Sequence, residues 1–336
     1  MKLTKLRNRL LGVSAIALLF AGGWEWQNYQ CALKTPVVLG EPVIVEIHKG
    51  DSFQQITKTL TTLNIPIHPL WFKVLAIEKQ AFNKLKAGEY ELKSGMTMPD
   101  ILALFSSGKT KRYAITFPEG WTLKQVLQSL NDNPKLDHLI KNADTSELMA
   151  KLGASGQHPE GLFFPDTYFF EKHTSDIALL TSAYRKLQST LEEAWQHRAE
   201  GLPIKSAYEA LILASIVEKE TGKAEERPQI AGVFIRRLQQ GMLLQTDPTV
   251  IYGMGESYQG NIRHQDLITS TPYNTYVIKG LPPTPIAMPG KAAINAALHP
   301  DNSDKLYFVA KGDGSHQFST TLEEHNQAVN TYQKKP

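Results

Sequence analysis

Between Ala210 and Val217 the chain reads Ala-Leu-Ile-Leu-Ala-Ser-Ile-Val, and seven of those eight residues are apolar. Ser206 and Glu209 ahead of it have the spacing of a capping box, and Gly222 stands where a helix C-cap belongs. A helix that is apolar nearly all round is buried, so it runs through the interior of a domain with other elements packed about it. Glu218 closes the run, three, four and seven positions after Ser215, Ala214 and Leu211, and shares their face. A carboxyl held there loses hydration and its pKa rises, so that it can stay protonated near neutrality and give a proton to a leaving oxygen. It could equally pair with an arginine such as Arg236 or Arg237, and the helix pattern leaves both readings open. Glu220 lies about 200° further round the helix and is expected to face elsewhere.

The 336 residues are 42% hydrophobic and 21% charged, which excludes disorder and gives room for about two domains. Cys31 is the only cysteine, so there is no internal disulfide, zinc ribbon or CxxC redox pair. The net charge of +3 is concentrated at one end. Removing Lys2, Lys5, Arg7 and Arg9 from the 36 basic residues leaves 32 against 33 acidic ones, which gives no support to a nucleic-acid partner. Behind those cations, residues 10–24 are uncharged; extended to Trp26 the run is 17 residues, or about 25 Å of helix, at the short end of a bilayer span. Trp24 and Trp26 suit the interface, and the basic cluster belongs on the cytoplasmic side. Ala21-Gly22-Gly23 also resembles a signal-peptide cleavage site, and either reading exports the remainder.

A small pattern repeats beyond the linker. Gly50-Asp51-Ser52 precedes Ile56 and Leu60, Gly95-Met96-Thr97 precedes Ile101 and Phe105, and Gly120-Trp121-Thr122 precedes Val126 and Leu130. Each reads as a glycine turn, a helix cap and an apolar helix face. Residues 43–47 and 113–117 alternate like strands. The first unit resembles the opening of a LysM carbohydrate-binding module, although strand–turn–helix is also an ordinary packing unit.

Further helices are expected through Trp71–Glu78, over residues 175–200 and from Pro228 to Gly241. Glu160–Tyr168, rich in Pro, Gly and aromatics, reads as a packed loop, and Leu244–Gly253 as polar groups around a Pro turn. The ten histidines contain no HExxH pair, Gly153–Gly156 misses a nucleophile elbow, and Gly312–Gln317 lacks the third glycine of a dinucleotide loop.

Val217–Glu220, Leu244–Thr249, Thr271–Tyr276, Gly280–Ile286 and Glu160–Tyr168 together resemble the endolytic murein transglycosylases of the YceG-like family, over nearly the whole chain. The resemblance implies an α+β protein of the inner membrane. Residues 1–9 would be a cytoplasmic tail, 10–26 a single transmembrane helix, 27–42 a linker, 43–112 a small LysM-like α/β region and 113–336 a mixed α/β catalytic domain built on the glutamate-bearing helix. It implies cleavage of the MurNAc–GlcNAc bond within peptidoglycan strands to leave 1,6-anhydroMurNAc ends, termination of nascent glycans, and no metal or organic cofactor. Peptidoglycan synthases become plausible partners. The family's catalytic glutamate falls on Glu218. Gln245, Asp247, Tyr252 and Asn274 match motif positions and are expected to contact substrate. Two alternatives stand beside this: a muramidase in which Asp247 activates water opposite Glu218, and a non-enzymatic peptidoglycan-binding scaffold.

Overall fold

A computed structural model describes residues 2–140 and 145–333, and the chain divides into two compact units at Tyr113–Ala114. The first begins with one continuous helix, α1 (Lys2–Lys34). Nothing breaks it at Trp26, because the next proline is Pro36, so helix occupies the first part of the expected linker. Tyr29 is buried and donates to Glu78 Oε2 at 2.7 Å. Residues 10–26 are therefore helical, but among the described residues no helix is long and apolar enough to cross a membrane. Gly12, Ser14, Gly22 and Gly23 dilute the run, and charges flank it closely.

Strands β1 (Val43–Ile47) and β2 (Gly88–Leu92) pair antiparallel, Val43 opposite Leu92 and Ile47 opposite Gly88. With helices α2 (Phe53–Thr62), α3 (Pro69–Glu78) and α4 (Met98–Ser107) they enclose a core around Phe72, Tyr90 and Phe105. Ser52 and Gln55 form a reciprocal capping box on α2, and Thr97 and Asp100 form one on α4. These satisfy amides that a helix start leaves without partners.

Strand β3 (Arg112–Thr116) runs through the division, and the second unit goes on to α5 (Leu123–Asn131), where Gln125 Oε1 accepts from Thr122 N at 2.9 Å. There follow β4 (Leu136–Asp137), α6 (Thr145–Lys151), β5 (Thr167–Glu171), β6 (Thr174–Ser175), α7 (Asp176–Gln196), α8 (Ala207–Glu220) and α9 (Arg227–Gln239). The chain continues through α10 (Asp247–Met254), α11 (His264–Ile268), α12 (Lys291–Leu298), β7 (Tyr307–Ala310), β8 (His316–Ser319) and α13 (Leu322–Tyr332). Strand pairing is sparse: β3 with β5, β4 with β6, β7 with β8. Helix packing carries the unit instead. α7, α9, α10 and α12 all lie against α8, and buried Ala293, Ala296 and Ala297 on α12 present small side chains that let two helices approach closely. The expected Pro turn at 244–253 is mostly α10, because Pro248 occupies the first turn of a helix, where its missing N–H costs nothing.

Candidate active site

Helix α8 is the scaffold of the site. Ser206 Oγ accepts from Glu209 N, but Glu209 turns its carboxylate to Lys205 N at 2.7 Å, so the expected capping box is half formed. Every residue from Ala210 to Val217 is buried. Leu211, Ile212, Leu213, Ile216 and Val217 each contribute ~1.5–3 kcal/mol by burial. Together they exceed the few kcal/mol that desolvating one polar group costs, so this helix can hold a glutamate at its buried end. It stops at Glu220, two residues before Gly222, because Thr221 is extended and its hydroxyl accepts from Lys223 N at 3.0 Å.

Two segments close over Glu218. Ser215 Oγ accepts from Ile286 N at 3.0 Å and fixes the loop that follows Pro285. Gly120 N donates to Met288 O at 2.9 Å and Met288 N to Trp121 O at 2.7 Å, so the loop pairs with the 118–121 turn. Gly290 N then donates to Glu218 Oε2 at 2.9 Å, and Arg227 Nη2 to Oε1 at 3.3 Å. The Glu218 side chain is 5% exposed and that of Arg227 11%. Glu119 reaches the same place: its Oε2 stands 4.0 Å from Arg227 Nη2, and its side chain is half exposed. A Cβ on Gly290 would meet Glu119 Oε1 at 1.8 Å, so the two carboxylates converge on Gly290, where any side chain would have to displace that of Glu119. Burial pushes the Glu218 carboxyl above the usual range; Glu119 adds to this, and the Gly290 N–H and Arg227 oppose it.

Glu220 faces another cavity. Thr246 donates its hydroxyl to Glu220 Oε1, and burial raises the Glu220 carboxyl from 4.5 to about 7, with the Asp247 charge adding to the rise. Gln245, Asp247, Tyr276 and Arg237 help to line this space of about 410 Å³. Gln245 adopts a positive φ of 51°, and Asp247 Oδ1 accepts from Tyr276 Oη at 2.6 Å. Tyr252 donates to Glu160 Oε2 at 3.2 Å. Asn274 is buried at 1% exposure: its Nδ2 donates to the carbonyls of Asp266, Leu267 and Thr269, and its Oδ1 accepts from Tyr276 N. Its amide braces the 266–276 loop through these four bonds. Gln245 and Asp247 thus surround Glu220, and Tyr252 serves Glu160.

Arg236 is bound to Asp301 and to the Lys305 carbonyl, and Arg237 to the carbonyls of Leu244 and Leu306. Neither is the partner of Glu218. That role falls to Arg227, which the helix pattern did not single out. Glu119 stands just ahead of the third glycine turn, and its only sequence signal is its place beside Gly120. Glu160 was seen as part of a packed loop, and the structure shows what it packs. It is buried, accepts from Leu123 N at 2.9 Å at the start of α5 as well as from Tyr252, and is raised by burial to about 7. Among the described residues no group of three or more His, Cys, Asp or Glu is placed to hold a metal ion.

Residues 45–331 match the profile of the YceG-like family. The chain belongs to that family. It is 33% identical over 307 residues to the endolytic murein transglycosylase of Bacillus subtilis, a match spanning 86% of this chain and 84% of that relative. It is 30% identical over 353 residues to the endolytic murein transglycosylase of Streptococcus pneumoniae; there the match spans 94% of this chain but only 63% of the relative's length. A crystal structure of a YceG-like protein from Listeria monocytogenes aligns with a TM-score of 0.54 at 32% identity, covering 86% of this chain and 99% of that one.

Proposed function

We propose that this protein is an endolytic murein transglycosylase, a lyase that cuts the MurNAc–GlcNAc bond within glycan strands and leaves 1,6-anhydroMurNAc ends. The names of its relatives support the activity. The observation that carries the chemistry is the Glu218 carboxyl, shut away from solvent and raised by burial, yet held by one N–H and one guanidinium. As the bond between C1 and the glycosidic oxygen breaks, its electron pair goes to that oxygen, which takes the Glu218 proton. The C6 oxygen then bonds to C1, and its proton returns to the Glu218 carboxylate. Water is neither consumed nor needed, and an internal nucleophile gains from proximity.

Hydrolysis by Asp247 is disfavoured, because that carboxylate shares the cavity of Glu220 and is bound by Tyr276. The scaffold reading leaves the buried Glu218 without a role. Localisation belongs to the same proposal: the basic tail and the exposed apolar side chains Ile16, Leu18, Leu19, Phe20 and Trp24 of α1 support an inner-membrane anchor with the remainder in the periplasm. A run this short fits by local thinning of the bilayer. Glycan contact by the LysM-like region 43–112, termination of nascent strands and synthase partners rest on the resemblance.

Glu218→Gln tests the assignment. It keeps the side-chain shape and removes the transferable proton, so a folded protein should lose about 10²–10⁴-fold or more of its activity on purified glycan strands. Wild-type rates from this variant would refute the role given to Glu218.

A further inference from the structure

We propose that Arg227 and Glu119 are positioning residues for Glu218: the guanidinium holds one carboxyl oxygen in place, while Glu119, which approaches the same Nη2, keeps that guanidinium from pairing fully with Glu218. The inference rests on Glu218 being the acid and base described above. During one turnover Glu218 is neutral, then anionic, then neutral again. A full, tight pair with arginine would trap the anion and remove the acid. With no cation at all, the anion formed after the first proton transfer would be left buried and poorly compensated. A shared guanidinium meets both demands.

Three features of the geometry support sharing. The Arg227–Glu218 contact is 3.3 Å, longer than the ~2.7–2.9 Å of a strong charge-assisted hydrogen bond, and it uses one nitrogen where a bidentate pair would use two. The same Nη2 lies 4.0 Å from Glu119 Oε2. Arg227 Nε is buried with no hydrogen-bond partner, an arrangement that well-packed proteins rarely keep without a reason. The absence of a side chain at Gly290 also leaves room for Glu119: its Oε1 occupies the volume that a Cβ on Gly290 would take, and Gly290 is the residue whose N–H holds Glu218.

The other charges around Glu218 leave this balance alone. Lys219, its neighbour on α8, turns its ammonium to the Gly120 carbonyl at 3.2 Å. Lys291, at the start of α12 beyond Gly290, is exposed. Glu119 comes from the 118–121 turn and Arg227 from the start of α9.

The test is the pH dependence of kcat/KM on purified glycan strands for the full chain, with melting curves to establish folding. Glu119→Gln should leave Glu218 facing the whole charge of Arg227, moving the alkaline limb of the profile to lower pH by about one unit with KM nearly unchanged. Arg227→Gln should move the limb the other way and lower kcat, and Arg227→Lys should restore the limb but not all of kcat. A carbon-13 titration of the Glu218 carboxyl, assigned by its loss in Glu218→Gln, reads the same shifts without turnover. It therefore separates failure of this pair from failure of the acid assignment. The proposal is overturned if the titration of Glu218 does not move in folded Glu119→Gln and Arg227→Gln. It is also overturned if folded Glu119→Gln is inactive at every pH, which would make Glu119 a base.

Discussion

Two buried glutamates outside the proposed reaction make their own prediction. Glu220 and Glu160 both rise from 4.5 to about 7, because burial penalises their charged forms. The fold thus favours the protonated carboxyl. The stability this contributes is complete below pH 4.5 and is lost as the pH passes through about 7. Thermal melting should therefore weaken between those limits, and Glu220→Gln, which can still accept from Thr246, should flatten the decline. An unchanged pH slope in that variant would show that Glu220 does not titrate as its burial demands. At this scale the sequence was legible wherever the helical period decides: Glu218 and Glu220 do face different ways. It was blind where the partner arrives from far along the chain. Nothing local distinguishes Arg227 from Arg236 or Arg237, and nothing local shows that Asn274 braces its own loop.

Among the elements, capped helices were read well, since a glycine, a Ser or Thr and apolar residues four apart are a local signal for a local structure. Helix α10 was missed because Pro248 suits a turn and a first helical turn equally. The loop through Gly290 has no periodic pattern, and only its contacts with Ser215, Trp121 and Glu218 reveal its use. Gly290→Ala should test that use. Its methyl would displace the Glu119 carboxylate from beside Gly290, so activity should fall on the alkaline side of the pH profile, as in Glu119→Gln, while the melting temperature changes little. Wild-type activity in this variant would mean that the close approach of Glu119 to Gly290 does not matter to turnover.

For the whole molecule, α1 presents a stretch of exposed apolar side chains that a soluble protein would be expected to cover. The intact chain should stay with membranes through an alkaline carbonate wash, and removal of residues 1–26 should release it; release of the intact chain would count against an anchor. Hydropathy alone could not settle this from the sequence, because the run is 17 residues, contains three glycines and a serine, and has charges close by. The reaction itself is also a property of the whole protein, and one carboxyl is held to carry both proton transfers. Hydrolysis would need water activated by a second group, whereas the lytic route does not. Digestion of purified glycan strands in heavy-oxygen water decides between them. The account predicts anhydro ends, about 18 mass units lighter than reducing ends and free of solvent oxygen. Reducing ends carrying the label would contradict it.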